Sequence, residues 1–100
     1  MKKIYISGPI TGHEDYMQRF SATTELLREQ GYIVYNPAAA NSMMPLETDY
    51  EEYMAIAMTM LSFCDAIYML SGWQESKGAN REYGYALAKH LDLRFEEGGL

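Results

Sequence analysis

Cysteine is nearly absent from this sequence, which contains only Cys64. One cysteine excludes an intrachain disulfide and a cysteine-based metal site, and it fits a reducing, cytoplasmic compartment. No apolar run approaches the roughly 20 residues of a membrane span, and the one that follows Lys2 and Lys3 is too short for a signal-peptide core. His13 and His90 have no partners at metal-ligand spacing. We therefore expect a cytoplasmic protein with no metal, no other cofactor and no membrane contact.

Basic residues are also few, with eight Lys and Arg against 14 Asp and Glu, for a net charge of −6. Wrapping a nucleic-acid backbone requires a basic face, so we expect no nucleic-acid polymer as partner. A small phosphorylated ligand remains compatible, since it needs only local N–H donors and one or two cations. The 48% of hydrophobic residues indicates a globular fold, and the length indicates a single domain over residues 1–100. An exposed apolar patch on so small a core would favour self-association.

Strands and helices are predicted to alternate along the chain. Strands are expected at residues 3–7, 32–35, 65–70 and 91–95, and helices at about 14–30, from after Thr48 to about Phe63, and from the end of a loop at 71–78. Residues 38–46 are expected to be irregular, and residues 96–100 to form a frayed tail. Thr48 and Glu51 have the spacing of a capping box, and Gly31 is expected to cap the first helix. The alternation predicts an α/β three-layer sandwich, flavodoxin- or Rossmann-like, with a parallel sheet of order 2-1-3-4.

Glu82 lies in the first turns of the last helix, at the edge of its apolar face. That face is formed by Ala79, Tyr83, Ala86 and Leu87. A carboxylate near a helix N-terminus is stabilised as the anion, which suits a nucleophile or a base that binds hydroxyl groups. Gly84 inside the helix suggests that another element packs closely against the backbone there. The alternative is a solvated Glu82 and a merely tolerated glycine.

Ligands of such sheets bind beyond the carboxyl ends of the strands, where the strand order reverses. Three segments should meet there: residues 7–12, the start of the second helix or the loop before it, and residues 71–82. The turn at residues 7–12 reads Ser-Gly-Pro-Ile-Thr-Gly. It suits an anion-binding turn, although it is neither a Walker A loop nor a full G-x-G-x-x-G. An ordinary strand-to-helix turn is the alternative.

Four side chains near this edge each have two possible roles. Tyr5 shares a strand face with Ser7, and its hydroxyl would either bind a carboxylate from a neighbouring strand–helix junction or fill the core. Trp73 would either stack on a base or anchor its loop on the core. Arg19 and Lys77 would either contact a phosphate or be solvated.

Three blocks of the sequence resemble the signatures of the nucleoside 2-deoxyribosyltransferase superfamily, which includes the 2′-deoxynucleoside 5′-monophosphate N-hydrolases. The blocks are residues 4–12 (IYISGPITG), 64–67 (CDAI) and 78–86 (GANREYGYA). They lie in the expected order and span nearly the whole chain. The run from Gly72 to Glu82 is similar to that of small single-domain members of unknown function, which are frequent in bacteria and phages.

The resemblance implies that Glu82 is the nucleophile that attacks C1′ of a 2-deoxyribosyl group, with Tyr5 orienting its carboxylate. The resulting glycosyl-enzyme ester would be resolved by a second base or by water, with net retention. It also implies a nucleoside or nucleotide ligand and a homodimer or larger homo-oligomer. The substrate-binding residues that follow are Ser7, Gly8, Pro9, Ile10, Gly12, Arg19, Gly72, Trp73, Ser76 and Gly78.

The sequence departs from this superfamily at Ala57. Active relatives carry an Asp there, eight residues before the Asp of the third strand, and it protonates the leaving base. General acid catalysis raises reaction rates by roughly 10²–10⁴-fold, so losing this acid is expected to slow turnover. Two functions therefore stay open: an N-glycosidase or deoxyribosyltransferase, and a non-catalytic nucleotide-binding protein that senses or sequesters its ligand. An oligomeric interaction module with a vestigial pocket is a third.

Overall fold

The four strands of the protein form one parallel sheet in the order β2-β1-β3-β4, which confirms the predicted topology. The structure is a computed structural model, and it describes residues 1–96. Among these residues no helix is both long and apolar enough to span a bilayer. In chain order the elements are β1 (Lys3–Ser7), α1 (Tyr16–Glu29), β2 (Ile33–Tyr35), α2 (Pro37–Asn41), α3 (Tyr50–Ser62), β3 (Ala66–Met69), a 3₁₀ turn (Trp73–Glu75), α4 (Lys77–Ala88) and β4 (Asp92–Phe95).

The central strand β1 separates two apolar cores. Ile4 and Ile6 face one side of the sheet, where they pack in a cluster with Phe20 and Leu27 of α1. Tyr5 faces the other side, in a cluster formed largely by residues of α3, α4 and β3. Because alternate residues of a strand point to opposite faces, this pattern gives the predicted three layers.

The residues predicted as irregular, 38–46, begin instead with the short helix α2. The side chain of Asn36 accepts hydrogen bonds from the backbone N–H groups of Ala38 (3.0 Å) and Ala39 (3.3 Å). Pro37 then occupies the first helical position, where its missing N–H costs nothing. An N-cap followed by proline is therefore the local reason for this helix.

The start of α3 also differs from the prediction. Its capping box is formed by Asp49 and Glu52, not by Thr48 and Glu51. Asp49 Oδ1 accepts from the N–H of Glu52 at 2.9 Å, and Glu52 Oε1 accepts from the N–H of Asp49 at 2.9 Å. The N–H of Thr48 instead donates to the carbonyl of Pro45, so Thr48 belongs to the preceding turn. The helix therefore starts one residue later than that pattern suggests.

The starts of α1 and α4 differ from the predicted ones by about two residues, and two predictions about α4 are wrong. Helix α1 begins at Tyr16 rather than at 14, and α4 begins at Lys77 rather than after the loop at 71–78. Apart from neighbouring backbone of α4 itself, a Cβ at Gly84 would meet no atom of residues 1–96 within 4 Å, so no other described element packs closely against that glycine. Leu87 is 49% exposed, because α4 faces the core through the narrower stripe that includes Ala86. Residues 97–100 of the predicted tail lie outside the described residues.

Candidate active site

A cavity of about 600 Å³ opens at the carboxyl end of β1, between the strands where the sheet order reverses. This volume falls in the range of small-molecule sites. The three predicted segments do meet here: the turn after β1, the start of α3, and the stretch from the 3₁₀ turn into α4. Its lining includes Tyr5, Gly8, Pro9, Ile10, Thr11, Tyr50, Tyr53, Met54, Ala57, Ser76, Lys77, Gly78 and Glu82.

Glu82 is buried at the inner wall of this cavity and is held by two hydroxyl groups. Tyr5 donates a hydrogen bond of 2.5 Å to Glu82 Oε2, and Ser7 donates one of 2.6 Å to Glu82 Oε1. Glu82 is 6% exposed, and both donors are almost fully buried. The solvated alternative for Glu82 is therefore wrong, and so is the reading of Tyr5 as a core filler without a polar partner.

Burial dominates the electrostatics of this site and raises the pKa of Glu82 to about 7. The hydrogen bonds from Ser7 and Tyr5 and the charge of Arg81 act in the opposite direction. Arg81 is itself paired with Glu51 at 3.1 Å, so it gives Glu82 no direct salt bridge. Burial, reinforced by the charge of Glu82, raises the pKa of Tyr5 well above its ordinary value. Tyr5 therefore stays a neutral hydrogen-bond donor near pH 7.

Two glycines allow the walls of the site to approach each other. A Cβ at Gly8 would lie 2.8 Å from Cβ of Leu70, so only glycine lets the turn after β1 lie against the end of β3. A Cβ at Gly78 would lie 3.1 Å from Sδ of Met54, where the first turn of α4 meets α3. Ser76 starts that turn, because its hydroxyl accepts from the N–H of Ala79 at 3.2 Å. These contacts set the distance between α4, α3 and the β1 turn.

Several predicted binding residues lie away from the cavity. Arg19 donates to the carbonyl of Ser71 at 3.0 Å and pairs with Glu96 at 3.3 Å, so it is neither solvated nor directed at the pocket. Trp73 is buried against Tyr83, with ring centroids 4.6 Å apart, which makes it the anchor of its loop. The lining also excludes three other predicted residues: Ser7, Gly12 and Gly72.

The structure adds a side of the cavity that sequence reasoning missed. Pro37 and Asn41 of α2 line it, together with the α1 side chains Tyr16 and Phe20. The dipeptide Asn36-Pro37 was the available signal, since it is a good N-cap followed by a favoured first residue. Sequence patterns place the loop before the second helix at this site, but they do not predict the helix within it or its lining residues Pro37 and Asn41.

Several ionisable side chains line the cavity besides Glu82, including His13, Glu75 and Lys77. Ala57 lines the cavity, so the wall where relatives are expected to carry an Asp is apolar. Lys77 lies at the rim, with Nζ 4.8 Å from the ring centre of Tyr50. Within residues 1–96 no three His, Cys, Asp or Glu side chains are grouped to hold a metal ion. The buried carboxylate of Glu82, held by two hydroxyl donors, is a base or nucleophile when ionised.

Comparison with known proteins gives two findings. Residues 2–95 match the family described as "Domain of unknown function (DUF4406)". The chain belongs to this family. Among curated proteins nothing matches the chain.

Among solved structures, this DUF4406 member is similar to a 2-deoxyribosyltransferase from the psychrotolerant bacterium Bacillus psychrosaccharolyticus. The identity is 16%, the match covers 93% of this chain and 70% of the other, and the TM-score is 0.74. At this identity the likeness shows the fold. It confirms the predicted resemblance to the deoxyribosyltransferase-like superfamily at that level.

Proposed function

We propose that the protein is a nucleoside or nucleotide N-glycosidase, or a 2-deoxyribosyltransferase, that uses Glu82 as its nucleophile. One observation carries this proposal: a buried carboxylate on the wall of a ligand-sized cavity, held by hydroxyl donors from Tyr5 and Ser7. The fold, shared with a 2-deoxyribosyltransferase, supports the same reaction class. Carboxylates with strongly shifted pKa values in clefts are frequent at active sites.

In the proposed reaction, an ionised oxygen of Glu82 attacks C1′ of the pentose. The bond from C1′ to the base nitrogen breaks, its electron pair leaves with the base, and a glycosyl ester forms. Since Ala57 supplies no proton, the departing base takes one from solvent water. Water or a second base then attacks C1′, the ester bond breaks, and Glu82 is regenerated with net retention at C1′.

A second candidate function is favoured by Ala57. A nucleotide-binding protein that senses or sequesters its ligand needs the cavity and its hydrogen bonds, but it does not need a proton donor for a leaving base. Such a protein would bind a nucleoside or nucleotide with Glu82 accepting a ligand hydroxyl instead of attacking carbon. The apolar side chain of Ala57 on the cavity wall is the feature that supports this alternative.

One experiment separates the two candidates. The protein is incubated with a panel of deoxynucleosides, ribonucleosides and their 5′-monophosphates, with and without a second free base, and the products are separated by chromatography. Glu82→Gln is the test variant, and Glu29→Gln, on the exposed side of α1, is the matched control. Base release or exchange that is lost only in Glu82→Gln supports the enzyme. Calorimetric binding without any release supports the binding protein, and no binding at all contradicts both.

The proposal extends to a homodimer or larger homo-oligomer. Two large apolar side chains are exposed, Phe63 at 54% and Ile33 at 42%. They belong to one surface, because the ring of Phe63 lies beside that of Tyr35, and Tyr35 is on the same face of β2 as Ile33. Covering such side chains is favourable at about 25 cal/mol per Å². Sedimentation velocity over a concentration series tests it, because a monomer at every concentration would contradict self-association.

A further inference from the structure

Ser7 has a role that differs from the one its position in the turn suggests. We propose that Ser7 is a positioning residue that holds Oε1 of Glu82, which leaves Oε2 as the oxygen that meets the ligand. This inference rests on the proposed function. In this view Ser7 does not contact the sugar, as the family resemblance implies, but holds the carboxylate of Glu82 in place.

The hydroxyl of Ser7 is well suited to fix another group. Ser7 is the last residue of β1 and is 1% exposed. Its backbone pairs in register with Met69 of β3, and its carbonyl accepts from the N–H of Leu70 at 2.8 Å. Serine has only one side-chain torsion that places its oxygen, so a fixed backbone leaves little freedom for the hydroxyl. The 2.6 Å bond to Oε1 is therefore anchored in the sheet itself.

The two oxygens of Glu82 face different surroundings. Tyr5, which binds Oε2, lines the cavity together with Glu82, whereas Ser7, which binds Oε1, does not line it. We therefore assign Oε1 to the protein side of the carboxylate and Oε2 to the side that a ligand would meet. Rotation about the last side-chain bond would exchange the two oxygens. The exchanged state is equivalent because the carboxylate is symmetric, so what Ser7 and Tyr5 together oppose is any intermediate orientation, which breaks both hydrogen bonds.

The chemistry gives the two hydroxyl donors separate tasks. When Oε2 bonds to C1′ and the base leaves with the electron pair, Oε2 becomes the ester oxygen and loses most of its strength as an acceptor. Oε1 becomes the ester carbonyl and still accepts a hydrogen bond. The bond from Ser7 therefore persists in both states, while the hydroxyl of Tyr5 is released from Oε2. Ser7 steadies the carboxylate before attack and the ester after it.

The test follows the Glu82 carboxyl directly. Its pKa is measured by ¹³C NMR titration in the wild-type protein, in Ser7→Ala, which removes only the hydroxyl oxygen, and in Ser7→Thr, which keeps a hydroxyl. Loss of a charge-assisted bond to the buried anion should raise the pKa of Glu82 by about one unit in Ser7→Ala. Ser7→Thr should stay close to wild type. If Ser7→Ala does not fold, Ser7→Cys replaces it, since a thiol is a weaker donor of similar shape.

Base release by the same proteins provides the second measurement. The maximal rate of Ser7→Ala should fall about 10-fold while KM changes little, because the substrate does not touch Ser7. A Glu82 pKa that is unchanged in Ser7→Ala would overturn the inference, even if that variant is less stable. A wild-type protein that releases no base, combined with a raised Glu82 pKa in Ser7→Ala, would refute the enzymatic function and still uphold Ser7 as the residue that positions Glu82.

Discussion

The hydroxyl of Tyr5 lies 2.5 Å from Oε2 of Glu82, although the two residues are 77 positions apart in the chain. The bond joins the first strand to the last helix, inside a cluster of buried side chains. Its donor keeps its proton, since burial raises the pKa of Tyr5, and its acceptor titrates near neutrality. A substitution at Tyr5 should therefore change the protonation state of Glu82.

Removing the hydroxyl of Tyr5 should destabilise the ionised form of Glu82. Tyr5→Phe keeps the ring in the core but deletes one of the two donors, so we expect the pKa of Glu82 to rise above about 7. Base release at pH 7 should fall at least 10-fold, roughly the effect of losing one charge-assisted hydrogen bond, and should partly recover at higher pH. Tyr85→Phe, outside the cavity, is the control. Equal pH–rate profiles for Tyr5→Phe and wild type would contradict a role for this bond.

Stability should depend on pH through Glu82. Its pKa is about 7 in the folded protein and 4.5 ordinarily, so the unfolded chain loses this proton first as pH rises. The stabilisation is complete below about pH 4.5 and is lost as pH rises through 7. Between pH 5 and 8.5, wild type should lose about 2.5 kcal/mol more unfolding free energy than Glu82→Gln. Urea unfolding of both proteins at the two pH values measures the difference, and parallel losses would contradict a buried carboxylate whose raised pKa comes from desolvation.

Supplying an acid at position 57 should raise turnover. Ala57 is 6% exposed and lines the cavity, so Ala57→Asp places a carboxyl group on the wall near Glu82. We expect base release to increase about 10²-fold, the lower end of the range for general acid catalysis. Ala57→Asn matches the size but carries no acidic proton, and it should leave the rate near that of wild type. Equal rates for the Asp and Asn variants would count against a missing acid as the limit on turnover.

Two glycines form a matched pair for stability. Gly8→Ala would place a Cβ 2.8 Å from Cβ of Leu70, so the turn after β1 must shift, at a cost of about 1–3 kcal/mol. Gly84→Ala meets no atom within 4 Å in the middle of α4, and it should stabilise the protein by about 0.5–1 kcal/mol. Thermal unfolding of both variants measures these opposite shifts. A Gly8→Ala variant that is more stable than wild type would contradict this prediction, because it would mean that the turn accommodates the added Cβ.

The fold was predictable because it depends on periodic patterns. Alternation of short strands with helices gave the parallel sheet and its order, and the strand-end rule placed the cavity. The helix start made Glu82 a candidate and the strand position made Tyr5 one, but only the resemblance to the deoxyribosyltransferase superfamily gave them their expected roles. The pairing of Ser7 with Glu82 Oε1 was not predictable, since it depends on the distance between β1 and α4. The contacts of Arg19 and Trp73 were not predictable for the same reason. Arg19 pairs with Glu96, far along the chain, and Trp73 packs against Tyr83 of α4.

Among residues 1–96 no cation forms a direct salt bridge with Glu82, which determines what calorimetry would detect when a ligand binds. A group that is half protonated near pH 7 shifts its occupancy whenever a neighbour changes its surroundings. An anionic ligand would draw hydrogen ions from the buffer on association, and a cationic one would expel them. Heats recorded in buffers of unequal ionisation enthalpy would then differ, and the slope would count the hydrogen ions exchanged per molecule bound.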